Sequence, residues 1–64
     1  MISYSPFHKT LLLKKITKYQ LTRHYLIPSG TINRIQNNKS ITLKTLEHLC
    51  KILNCEIKDI VTFI

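Results

Sequence analysis

Pro28 constrains this chain more than any other residue. It stands inside "ITKYQLTRHYLIPSGTINRIQNNKS", residues 16 to 40, and divides what would otherwise read as one helical tract. A proline has no N–H and its ring crowds the carbonyl four residues back, so it bars a continuous helix and pushes Ile27 out of the helical region. On its amino-terminal side the stretch opens with a capping box. Thr17 can accept from the backbone N–H of Gln20, whose side chain reaches back, while Ile16 and Leu21 occupy the hydrophobic-staple positions. That helix is expected to end near Tyr25. Another follows at once over residues 29 to 37; its cap is ambiguous between Ser29, which has the right chemistry, and an arrangement with Pro28 as first helical residue. Two helices of about eight residues joined by so short a turn must cross steeply, and they hold that angle only through apolar facing positions. Leu21, Tyr25, Ile27, Ile32 and Ile35 supply those positions, with Tyr25 read as core by its spacing.

The rest of the chain reads as further short helices, five in all. Ser5 and Pro6 look like a cap and first helical position for a helix running to about Lys15, with Phe7 and Leu11 facing inward. Leu11, Leu12 and Leu13 cannot share one stripe, so at least one is left for another surface. Thr42 caps a fourth helix, with Ile41 against Leu46 as staple. Leu46, Leu49, Cys50 and Leu53 recur at i, i+3, i+4 and i+7, and Asn54 suits a left-handed stop. A last helix is expected from about Glu56 to Val61. Phe63 and Ile64 are too apolar to dangle in water; they pair in extended form with Ile2-Ser3-Tyr4 or meet a second subunit. The expected fold is all-α, one domain over residues 1–64, with a short terminal β-pairing as an option.

Size and composition exclude several classes of function. The chain has 64 residues and one glycine; a domain of this length buries only about 60% of its unfolded surface, which leaves no room for a large catalytic cleft. Its three acids all come late, no serine lies in a nucleophile-elbow context, and a single glycine cannot make a phosphate-cradling loop, so no enzyme and no small-molecule substrate are expected. His8, His24 and His48 lack paired-ligand spacing, and Cys50 and Cys55 read as small buried apolar groups in a reducing compartment; no metal and no cofactor are expected. No apolar run spans a bilayer and no signal-peptide pattern opens the chain, so the expected location is the cytoplasm, away from membranes.

Charge is distributed one-sidedly. Residues 1 to 46 carry eight Lys and Arg and no acid, while residues 47 to 64 carry Lys51 and Lys58 against Glu47, Glu56 and Asp59, which together make the net +7. Such asymmetry suits a polyanion, although a solvated basic surface would give the same composition; charge alone does not decide.

The capping box, the proline-marked turn, "NRIQNNKS", and the later "LEHLCKIL" and "IKDIV" together resemble the phage-repressor-like (Cro and lambda-repressor type) helix-turn-helix DNA-binding family. The resemblance runs from Phe7 to Val61. It implies that the helix at residues 29–37 lies in the major groove of double-stranded DNA, with Ser29, Asn33 and Arg34 at base-contact positions and Lys18, Asn37, Lys39 and Lys44 at phosphate or backbone contacts. It further implies a bacterial or phage transcriptional regulator, most simply a repressor acting as a homodimer. Three positions depart from the family pattern: Leu26 holds a turn position usually given to glycine, Thr22 one usually given to alanine, and Gly30 removes a side chain from the recognition helix. "ITKYQLT" also resembles the helix-turn-helix part of some anti-CRISPR proteins, so a protein-binding adaptor or inhibitor is the alternative.

Overall fold

A computed structural model describes residues 1–64. The chain runs β1 (Ile2–Ser3), α1 (Ser5–Lys14), α2 (Lys18–Arg23), α3 (Ser29–Gln36), α4 (Leu43–Leu53), a 3-10 turn (Ile57–Asp59) and β2 (Thr62–Phe63). The two strands pair antiparallel, Ile2 opposite Phe63 and Ser3 opposite Thr62. Outside them, Ile64 N–H donates to the Met1 carbonyl and the Met1 amino group donates to the Ile64 carbonyl, each at 2.8 Å.

Helix ends follow local chemistry. At α2 the Gln20 N–H donates to Thr17 Oγ1 at 3.1 Å and the Thr17 N–H donates to Gln20 Oε1 at 2.9 Å, which satisfies two donors the first turn would otherwise orphan. Thr42 caps α4 through Thr45 N–H at 3.2 Å. Three helices, α1, α3 and α4, finish on a left-handed residue, Lys15, Asn38 and Asn54, with the next N–H reaching back five residues; asparagine tolerates that conformation well. Ser5 departs from expectation. It is the first helical residue and Tyr4 the cap, because Ser3, held in β1, already accepts the Ser5 N–H at 3.3 Å with its own hydroxyl.

The core draws on every helix: Tyr4, Phe7 and Leu11 around α1, Leu21 from α2, Ile27 from the turn, Ile32 and Ile35 from α3, Leu46, Leu49 and Leu53 from α4, and Ile60. Each such side chain contributes roughly 1.5–3 kcal/mol when fully buried. Leu12 and Leu13 remain exposed. No buried side-chain nitrogen or oxygen lacks a partner.

The fifth helix is a correction: a 3-10 turn of three residues stands where a helix over Glu56–Val61 was expected. Ile57 O accepts from Ile60 N–H at 2.9 Å and Val61 N–H at 3.1 Å, so a single turn closes. Asp59 O then accepts from Thr10 Oγ1 at 2.7 Å and Ile60 O from Phe7 N–H at 3.1 Å, which denies the acceptors that growth past Val61 needs, and β2 follows immediately.

Candidate nucleic-acid interface

Between α2 and α3 the chain reverses over five residues. Arg23 is the last helical residue of α2, two earlier than expected, and Leu26 then adopts φ 56°, the left-handed conformation that glycine usually supplies. The Ile27 N–H donates to the Leu21 carbonyl at 3.0 Å and carries the Ile27 side chain into the core. Pro28 caps α3, with φ −58° and its carbonyl accepting from Thr31 N–H and Ile32 N–H; Ser29 is the first helical residue and its hydroxyl makes no cap bond. A proline serves here because a cap needs only its carbonyl.

Leu21, Ile27, Ile32 and Ile35 are all buried at the crossing. Tyr25 corrects the expectation. It is 41% exposed and sits beside Lys15, Gln20 and His24, because α2 has already ended and the i, i+4 spacing from Leu21 no longer points inward. Thr22 is half-buried and folds its hydroxyl onto the Tyr19 carbonyl at 2.9 Å.

With Ile32 and Ile35 turned inward, α3 presents Ser29, Gly30, Asn33, Arg34 and Asn37 to solvent. No acid stands in the first turn of any of the four helices. Arg34 donates from Nε to the Ser40 carbonyl at 2.8 Å, which fixes the plane of the guanidinium while leaving its two terminal nitrogens free to face a ligand. Asn37 is more committed: its Nδ2 donates to the Asn33 carbonyl at 2.8 Å and to Asn33 Oδ1 at 3.2 Å, so a phosphate contact from this amide exchanges one of those bonds. Lys39 and Lys44 stand exposed on either side of the loop into α4. Lys18 is half-buried at the start of α2, close enough to His8 that its charge joins desolvation in holding that imidazole below its usual pKa.

Sequence reasoning passed over Tyr4. Its phenol crosses from the start of α1 to the Lys39 carbonyl at 2.6 Å and, with the Arg34–Ser40 bond, holds the loop that carries Lys39. No sequence signal pointed to it, since a tyrosine beside the amino terminus gives no sign of a partner 35 residues away. Gly30 also gains meaning: a Cβ built there meets nothing within 4 Å, so no neighbour within the protein requires glycine at this position.

The description "Cro/C1-type HTH DNA-binding domain" matches residues 7–64 of the chain. This chain belongs to that family. The fold is also similar to the crystal structure of transcriptional regulator VanUg, with a TM-score of 0.87 at 26% identity, covering 95% of this chain and 81% of that one. None of the curated proteins compared matches. The Cro/C1-type family member thus keeps the left-handed turn with Leu26 in place of the usual glycine.

Proposed function

We propose that the protein is a sequence-specific DNA-binding transcriptional regulator, acting in the cytoplasm as a repressor that occludes polymerase. α3 enters the major groove, Ser29, Asn33 and Arg34 face base edges, and Lys18, Asn37, Lys39 and Lys44 hold the backbone. The observation that carries this reading is the outward face of α3: polar, free of acids, with Gly30 making room and an oriented arginine whose terminal nitrogens are unspent. A guanidinium so placed matches the paired acceptors of guanine, O6 and N7. The 64 residues work as one domain. One such module makes too few phosphate contacts for tight binding, so two copies read half-sites about 34 Å apart. The body measures 30 × 23 × 18 Å, small enough for one copy per helical turn.

A second reading rests on Leu26, which is 80% exposed beside the base of α3 and would suit a protein partner. Salt separates the two. DNA binding through about 6 to 10 phosphates weakens by roughly 10³ to 10⁵ between about 50 and 200 mM salt, whereas a protein complex with an apolar centre changes far less. A steep linear fall of log affinity with log salt is expected, and a flat response overturns the DNA reading.

A further inference from the structure

The chain holds two cysteines, and the fold brings both to one place. α4 ends on the left-handed Asn54, whose N–H donates to the Lys51 carbonyl at 3.4 Å, while the Cys55 N–H donates to the Cys50 carbonyl at 3.0 Å. In a helix end closed by this pair of bonds, the side chains of the two residues joined by the longer-range bond commonly meet across the turn. Here those residues are Cys50 and Cys55. Both are half-buried rather than sunk in the core, and both line a groove of about 660 Å³ between α4 and the 3-10 turn. We infer that Cys50 and Cys55 form a reversible dithiol–disulfide site, oxidised by small-molecule disulfides, whose closure braces the end of α4.

Geometry permits the bond. A 3.0 Å contact from the nitrogen of one cysteine to the carbonyl oxygen of the other keeps the Cα atoms within about 7 Å, the limit beyond which a disulfide closes only by moving the backbone. The thiols also act on each other. Burial raises both, with Asp59 adding to the rise; the Cys55 thiol opposes it at Cys50 by donating to that sulfur, while Cys50 pushes Cys55 further up and Lys14 pulls it down. Cys50 is therefore the sulfur that ionises first. Its thiolate attacks one sulfur of a small disulfide, whose S–S bond breaks and releases a thiolate that takes up a proton. Cys55 then loses its proton and attacks Cys50 Sγ; the bond between the two cysteines forms and the second small thiol leaves. The chain gives up two electrons and two protons, and one small disulfide becomes two thiols. The new link closes at the start of the strap that runs through the 3-10 turn to α1, where Thr10 and Phe7 hold the Asp59 and Ile60 carbonyls. In a domain this small, one cross-link there stabilises the fold measurably.

The test is mass spectrometry and thermal melting of the full chain equilibrated in glutathione buffers of rising oxidised fraction. Wild type is expected to become about 2 Da lighter with no glutathione attached, to lose both alkylatable thiols together, and to melt about 5 °C or more above its reduced form. Excess dithiothreitol returns both the mass and the melting temperature. Cys50→Ser and Cys55→Ser are each expected to stop at a mixed disulfide with glutathione and to gain nothing in melting. Melting of the reduced variants shows whether they fold, and the wild-type readouts decide the matter if one does not. Thiols that stay reduced in fully oxidised glutathione, as two packed apolar groups would, overturn the inference. A lasting glutathione adduct on wild type or a disulfide between two chains also overturns it, as does an oxidised form that melts below the reduced one.

Discussion

The Tyr4 hydroxyl donates to the Lys39 carbonyl at 2.6 Å, joining the residue before α1 to the loop after α3. The ring is fully buried, and desolvation raises its pKa, with the nearby Arg34 charge opposing. The phenol therefore stays protonated and able to donate. Through this bond and the Arg34–Ser40 bond, the end of α3 is held from both sides.

Tyr4→Phe keeps the packed ring and removes only the donor. A loss of about 1 kcal/mol is expected, seen as a fall of roughly 4–8 °C in the melting temperature for a domain this small. Operator affinity should drop with it, because Lys39 loses its anchor. An unchanged melting curve would show that the Lys39 carbonyl is equally well served by water.

Leu26→Gly relieves a left-handed leucine, a conformation that costs about 1–2 kcal/mol for a residue with a Cβ. Glycine's extra freedom in the unfolded chain offsets part of that gain. The side chain is exposed, so no burial is lost. Chemical denaturation should report a net gain of roughly 0.5–1 kcal/mol; a loss would mean that Leu26 packs on something in solution.

Gly30→Ala separates stability from function. Alanine is the better helix former by about 1 kcal/mol, and nothing near Gly30 opposes a methyl group. Stability is expected to rise while affinity for duplex DNA falls, as the added methyl holds the α3 backbone away from the groove. Denaturation and binding measured on one preparation check both signs; a variant both more stable and equally tight leaves the glycine without a role.

His8 gives a pH signature. Burial, and then the Lys18 charge, lowers its pKa in the folded state, so the unfolded chain binds the proton more readily. The stabilisation is fully present above the unfolded pKa of about 6.5 and is lost as pH falls through the lower folded value. His8→Gln should flatten the decline in melting temperature on the acid side of that point. The same decline in the variant would assign it to other groups.

What the sequence reveals and conceals divides by the range of the interaction. Thr17 with Gln20, Thr42 with Thr45, and Asn54 act within a few residues, and all three helix ends stand where the chain alone places them. Four helices follow from such local grammar; the terminal pairing, between residues some 60 apart, is one of two options that the apolar chain ends leave open. Residues 56–61 misled because Phe7 and Thr10, which tie the carbonyls of Ile60 and Asp59 to α1 and so stop the turn from growing, lie some 50 residues upstream, and local pattern says nothing of them. Tyr25 misled for a related reason: its spacing suits a helix that the left-handed Leu26 has already ended. At the candidate interface, the exposed face of α3 was legible from the inward pair Ile32 and Ile35. The use of Arg34 Nε on Ser40, the mutual bonding of Asn33 and Asn37, and the reach of Tyr4 to Lys39 were not, because each depends on where the loop after α3 folds back.

Selection of bound duplexes from a random pool, run in parallel on wild type and Arg34→Ala, probes base reading by α3 most directly. Wild type should enrich a motif with two half-sites about 10 base pairs apart, and the variant should lose preference at one guanine in each half, worth roughly 1–3 kcal/mol, while keeping its background affinity. An identical motif from both proteins, or none from either, would contradict it.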